Sequence, residues 1–392
     1  MAASRIDGIE PFYVMEVVKA AEALAARGKA IIHLSIGEPD FTAPPPVLRA
    51  AKQALDQGRT RYTSAAGIQE LREAISQHYT QRFGVAVPSE RIFVTAGASA
   101  ALLLAFAAVL DSGAEVLLPD PCYPCNRHFA TVLGAQARLI PTSAAERFHL
   151  SAAAIESAWT PRTAGVLLAS PSNPTGTSIA QATLADVIRA VQARRGFVIV
   201  DEIYQGLTYD EPPSTALALT DEVIVINSFS KYFNMTGWRL GWLVVPTAIA
   251  GAIEKLAQNL FICPSAIAQH AALACFSDEA MQTYELRRLE FARRRDYLVP
   301  ALCGLGFDVP ATPDGAFYVY ADVRKFADDS WKFCFDLLEH AGVCVVPGRD
   351  FGHAAPDRFV RLSYATDLAR LEHAVQRMHD YLKTSPRAVT RD

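Results

Sequence analysis

The chain has 392 residues, enough for roughly two to three domains. Hydrophobic residues make up 51% and charged ones 20%, so a large core is within reach and disorder is not the default. With a net charge of −4, scattered Lys and Arg and seven cysteines, the composition argues against a nucleic-acid footprint, a polybasic membrane patch and a disulfide framework.

Residues 12–27 read as an amphipathic helix stopped by Gly28. Asp7, Glu10 and Glu16 leave this region without the basic start and apolar centre of a secretory signal. The run from Ile31 is broken by Gly37 and closes on Pro44, Pro45 and Pro46, so an extended connector is expected there. From about residue 47, helices alternate with short Val-, Ile- and Leu-rich runs near residues 91, 115, 165, 197 and 223. Their lack of polar alternation suits strands buried on both faces of a mostly parallel sheet. The longest apolar stretch, Ala100 to Leu110, is far short of the roughly 20 residues that cross a bilayer, so a soluble cytoplasmic protein is expected.

A Glu- and Arg-rich helix follows around residues 279–298, and its arginines, interspersed with Glu285 and Glu290, are expected on a solvated face. Beyond it, FYVYADV, VCVVPG and RFVRLSYA read as half-exposed strands with helices between them. The expected organisation is an arm and part of a small domain over 1–46, a large domain over 47–294 and a small α+β domain over 295–392, completed by the N-terminal segment. The last ten residues are expected to fray.

In open α/β sheets, ligands bind beyond the carboxyl ends of strands. Polar residues gather there: Gly97-Ala98-Ser99, Tyr123, Ser170 to Gly176, Asp201 to Tyr204, and Ser228-Phe229-Ser230-Lys231. Lys231 is one of eight lysines, and it directly follows an apolar strand. A lysine partly desolvated at such a place becomes nucleophilic toward an aldehyde; its plain alternative is a surface lysine. Ser228, Ser230 and Arg239, with the free N–H groups after Gly97, suit a phosphate. Asp201 ends a strand with no other charge in it, so it needs a cationic partner: an arginine, or a protonated ring nitrogen. Arg361 lies within an apolar strand pattern and must face either solvent or an anion. Cys122 and Cys125 form a C-x-x-C without a second pair at zinc spacing, and no metal site is expected.

Ser228 to Gly241 (SFSKYFNMTGWRLG), Asn173 to Gly176 (NPTG), Asp201 to Tyr204, the Ser35 to Asp40 segment and Arg361 to Tyr364 together resemble the class I/II aminotransferases. These are pyridoxal-phosphate enzymes of the aspartate aminotransferase fold. The resemblance runs over essentially the whole chain and implies a large seven-stranded, mostly parallel sheet flanked by helices, with a smaller α+β domain. It further implies a Schiff base between Lys231 and the cofactor, pairing of Asp201 with the pyridine nitrogen, and hydrogen bonds from Tyr204 and Asn173 to the phenolic oxygen. Ala98, Ser99, Ser228, Ser230 and Arg239 would hold the phosphate, and Tyr123 would stack on the ring. Arg361, with Asn173 and the Gly37 backbone, would hold the substrate carboxylate. Tyr62 would reach the phosphate of a neighbouring subunit, which implies a homodimer with shared sites. The expected activity is ping-pong amino transfer between an amino acid and a 2-oxo acid, with Phe12, Tyr13, Ile36 and Phe317-Tyr318 as walls favouring a neutral or aromatic substrate and aspartate as the alternative. A carbon–sulfur β-lyase or other lyase on the same scaffold is the alternative, then an α-oxoamine synthase, with a non-catalytic effector sensor last. Tyr204 stands where sulfur lyases often carry histidine, and Ile203 where the synthases do.

Overall fold

The computed structural model describes residues 3–384. Its centre is a seven-stranded sheet made of β1 (Ile92–Thr95), β2 (Glu115–Asp120), β3 (Gln136–Pro141), β4 (Thr163–Ala169), β5 (Phe197–Asp201), β6 (Ile224–Ser228) and β7 (Gly241–Val244). The spatial order is β1-β7-β6-β5-β4-β2-β3, with β7 antiparallel to both neighbours and the pairs from β6 to β3 parallel. This is the α/β class that the residue pattern and the resemblance led one to expect.

The apolar runs lack polar alternation because both faces are covered. Val166, Leu168, Val198, Val200 and Val225 enter one core, while Leu167, Ile199, Ile224 and Ile226 enter the other. The second core is closed by helices Ala98–Val109 and Thr247–Leu260, and the first by Gln69–Phe83 and Gln181–Gln192 among others. Two strands escaped the sequence reading. β3 is a half-exposed edge carrying Arg138, and β7 is four residues long and embedded in the Gly-Trp-Arg-Leu-Gly motif.

Beyond the long helix Asp278–Leu305, a three-stranded antiparallel sheet is formed by Tyr318–Asp322, Val346–Pro347 and Phe359–Ser363. Its two long strands are buried throughout, where half-exposure was expected. Val319, Ala321, Val360 and Leu362 pack under helices Ser330–Ala341 and Leu368–Thr384, while Tyr320 and Phe359 meet Phe148 and Val14 on the other face. The N-terminal helix Tyr13–Ala26 buries Val17, Ala21 and Leu24 against Leu338 and Cys344. Ile32–His33 then pairs in parallel with Val343–Cys344, tying the first residues to the last third of the chain.

The long helix corrects a second expectation. It runs to Leu305, where Gly306 at φ 98° supplies the left-handed cap. Its arginines do not simply cover a solvated face: Arg294 is 3% exposed and Arg295 8%. Arg294 pairs bidentately with Asp40 at 2.8 and 3.0 Å, and Arg295 with Asp210 at 2.7 and 2.9 Å. From residue 385 on, the tail expected to fray lies outside the described residues. Among the described residues, no helix is long and apolar enough to cross a membrane.

Candidate active site

The carboxyl ends of β4, β5 and β6 and the start of helix Ala98–Val109 open on a cavity of about 490 Å³. β6 delivers Ser228, the buried Phe229 anchors the following turn, and Lys231 projects into the cavity. Its Nζ donates to the Gly37 carbonyl at 2.6 Å. Burial pushes the Lys231 amine down to about 8, against the pull of Glu38 and with the help of Arg361 and Arg239.

Asp201 closes β5 and lines the same cavity. One of its oxygens accepts from the Ile203 N–H at 3.1 Å, and burial holds the acid up to about 6 despite that bond and Lys231. Beside it, the Tyr204 and Tyr318 hydroxyls are hydrogen-bonded at 2.9 Å, and burial keeps both phenols above their ordinary range.

At the opposite lip, Gly97 at φ 84° precedes the helix that begins at Ala98. A Cβ there would stand 2.6 Å from Arg239 Nη2, so the guanidinium lies directly over the helix start. Arg239 is itself left-handed at φ 51°, and its Nη1 donates to the Thr236 carbonyl at 2.9 Å. Ala98, Ser99 and Ser230 line the same cavity as Arg239. The helix start, two hydroxyls and a guanidinium form an anion cradle.

Arg361 is 5% exposed and reaches the cavity from the middle of its strand. Its Nη1 donates to Asn173 Oδ1 at 3.0 Å and its Nη2 to the Ser35 carbonyl at 2.7 Å, while Nε is buried without a partner. The guanidinium also lies 4.4 Å over the Tyr318 ring.

Of the residues singled out in the sequence, Gly37, Ala98, Ser99, Tyr123, Asn173, Asp201, Tyr204, Ser230, Lys231, Arg239 and Arg361 line this one cavity. Ser228 does not. Its Oγ donates to the Leu240 carbonyl at 3.1 Å and accepts the Ser230 N–H at 3.0 Å, so it braces Ser230 from behind. Tyr62 is 83% exposed and lies outside the cavity. Phe12 and Ile36 are walls as expected, whereas Tyr13 instead packs edge-on against Trp331 at 5.8 Å.

Sequence reasoning missed Glu38, Thr236, Met15, Val18 and Leu102 as lining residues, along with the hydroxyl pairing of Tyr318. It also missed Asp350, which accepts the Tyr13 and Val14 N–H groups at 2.9 and 3.2 Å and so fixes the helix carrying Met15 and Val18. The signal for the helix was present: Met15 and Val18 lie off the stripe of Val17, Ala21 and Leu24, and a second apolar face needs something to cover.

Residues 29–378 match the family model described as aminotransferase class I and II. The valine–pyruvate aminotransferase of Mycobacterium tuberculosis is 41% identical over 96% of this chain and 97% of its own. The chain belongs to the class I and II aminotransferases. A crystal structure of an aminotransferase from Mycobacterium tuberculosis superposes with a TM-score of 0.95 at 40% identity, covering 98% of this chain and 99% of that one. The aspartate aminotransferase of Thermus thermophilus with maleate gives 0.92 at 34% identity, with coverage of 97% and 99%.

This aminotransferase therefore moves an amino group between an amino acid and a 2-oxo acid, and it depends on pyridoxal phosphate. The residues present fit that cofactor. A partly desolvated amine, a buried carboxylate without an ion partner among the described residues, and an anion cradle match an aldehyde, a protonated ring nitrogen and a phosphate.

Proposed function

We propose that the aminotransferase acts on a neutral amino acid, aliphatic or aromatic, with pyruvate or 2-oxoglutarate as acceptor. One observation carries this reading. Among the described residues, the cations lining the cavity are Lys231, Arg239 and Arg361, while Phe12, Val14, Met15, Val18 and Ile36 form an apolar wall. With Lys231 and Arg239 engaged by the cofactor, Arg361 remains for the α-carboxylate, and a distal carboxylate would face hydrocarbon. The valine–pyruvate relative supports the same substrate class.

In this reading Lys231 would hold the cofactor through its Nζ, the amine that faces the cavity. When bound, pyridoxal phosphate supplies the electron sink that acidifies the Cα–H bond. Lys231 Nζ, an amine whose basicity burial lowers, would be placed to take and return the substrate's Cα proton. Asp201 would keep the ring nitrogen protonated, Tyr204 and Asn173 would hold the phenolic oxygen, and Tyr123 would offer its face to the ring. Ala98, Ser99, Ser230 and Arg239 would hold the phosphate, with Ser228 bracing Ser230. Arg361 orients the α-carboxylate with Asn173 and the Gly37 backbone, and its unpartnered Nε and paired Nη groups suit a bidentate anion.

We further propose a cytoplasmic homodimer with shared sites. Tyr62, exposed and outside the lining of its own cavity, supports a role in the partner's site, and seven cysteines without disulfides suit a reducing compartment. Half-reaction spectra with a panel of amino acids test the substrate. Valine, leucine or phenylalanine is expected to convert the bound cofactor at least about tenfold faster than aspartate; aspartate as the fastest donor overturns the assignment. Lys231→Ala is expected to abolish both the lysine-bound absorption and transfer.

A further inference from the structure

The arginines of helix Asp278–Leu305 sit away from the cavity, yet two of them grip the segments that shape it. Arg287 and Arg294 are seven residues apart, two turns along one helix face. Arg294, buried, forks onto both oxygens of Asp40 at 2.8 and 3.0 Å. Arg287 Nη1 donates to the Thr42 carbonyl and to Asn234 Oδ1, both at 2.7 Å. Phe41 lies between them, 5.0 Å from the Arg287 guanidinium and 5.2 Å from that of Arg294.

The far side of each grip is the reaction centre. Residues 35–42 form a strap whose carbonyls face the two working cations: Ser35 accepts from Arg361 at 2.7 Å and Gly37 from Lys231 at 2.6 Å. Asn234, left-handed at φ 53°, donates its Nδ2 to the Lys231 carbonyl at 3.0 Å. The helix thus holds the strap at Asp40 and Thr42 and the Lys231 turn at Asn234, setting their separation.

We propose that Arg287 and Arg294 are positioning residues that fix the distance between the Ser35–Gly37 carbonyls, Lys231 and Arg361, and with it the register of the bound amino acid. This rests on the roles proposed above for Lys231 and Arg361. A displacement of about 1 Å in such a constellation costs up to about a hundredfold in rate. A merely structural pair would lower the folded fraction and the apparent kcat while leaving KM alone.

The test is steady-state kinetics of the holoenzyme for Asp40→Asn, Arg294→Met, Arg287→Met, Arg294→Lys and the Asp40→Asn/Arg294→Met double variant. Each neutralising variant is expected to raise KM for the amino acid about tenfold and lower kcat, with the cofactor absorption retained. Arg294→Lys, keeping charge and one hydrogen bond, is expected to return to within about threefold of wild type. The double variant is expected to be no worse than the worse single one, because both remove the same contact. Asp40→Asn reads the same shift should Arg294→Met fail to fold. Unchanged KM in Asp40→Asn and Arg287→Met, or additive effects in the double variant, overturns the proposal. A wild type that transfers no amino groups sinks the functional reading and this one together, whereas normal wild-type kinetics with unmoved KM in the variants sinks this one alone.

Discussion

Asp201 and Arg361 are the same physical problem solved at two ends of one cavity. Each is a charge buried in an apolar strand, 7% and 5% exposed, and neither forms an ion pair among the described residues. Their settings differ. Asp201 receives one backbone N–H, and burial holds it up to about 6, so its charged form is under-solvated and calls for a cation. Arg361 has Asn173, the Ser35 carbonyl and the Tyr318 face as neutral partners, so its guanidinium is held in a fixed orientation. The difference teaches that the Asp201 end, proposed to meet the cofactor, is poised by electrostatic want, and the Arg361 end, proposed to meet the substrate, by geometric support.

The sharpest way to break that comparison is to neutralise each end in turn. Asp201→Asn is expected to lower kcat by about 10²- to 10³-fold, with KM for the amino acid nearly unchanged, because its charge is needed as the transition state develops. A large KM change with kcat intact would show the two ends reversed. Arg361→Gln is expected to act the other way, raising KM by about 10- to 100-fold while the cofactor absorption stays in place, since a charged bidentate contact is lost from substrate binding. Titration calorimetry with a non-reactive carboxylate analogue checks the same loss without turnover.

The smallest effect is on stability. An unfolded Asp titrates near 3.9, whereas native Asp201 is held up to about 6, so between those values the native state binds more protons. Cofactor-free protein should therefore gain stability as pH falls from about 6 toward 4, by at most about 3 kcal/mol from this group. Glu202 and Asp350, also pushed up by burial, act in the same direction. The difference between wild type and Asp201→Asn isolates the term. Chemical denaturation across that range, with equal slopes for both proteins, would contradict it.

How far the site was legible follows from these residues. Asp201 and Ser228 close the runs FVIVD and IVINS, with Lys231 three residues beyond the second, and polar residues at the end of an apolar strand are visible in the sequence alone. Arg361 was visible as an anomaly, but its direction was not. Its two partners lie 188 and 326 residues away, and without them a solvent-facing arginine is equally consistent with the pattern. Arg294 and Arg295 were misread for the same reason, since Glu290 nearby in sequence gave them a sufficient local partner. The buried strands Tyr318–Asp322 and Phe359–Ser363 were misread because tyrosines and charges mimic an exposed face, and the cover on that face, Phe148 and Val14, comes from distant parts of the chain.

The order of strands and helices, the doubly covered parallel sheet and the row of polar groups at its carboxyl ends belong to the amino-acid sequence itself, because periodicity and strand termini are local properties of the chain. Which side chains met was decided by the folded chain. A carbonyl at Ser35 or an amide at Asn173 becomes a partner for Arg361 only when packing pays the entropy of bringing three distant segments together, and no local pattern records that.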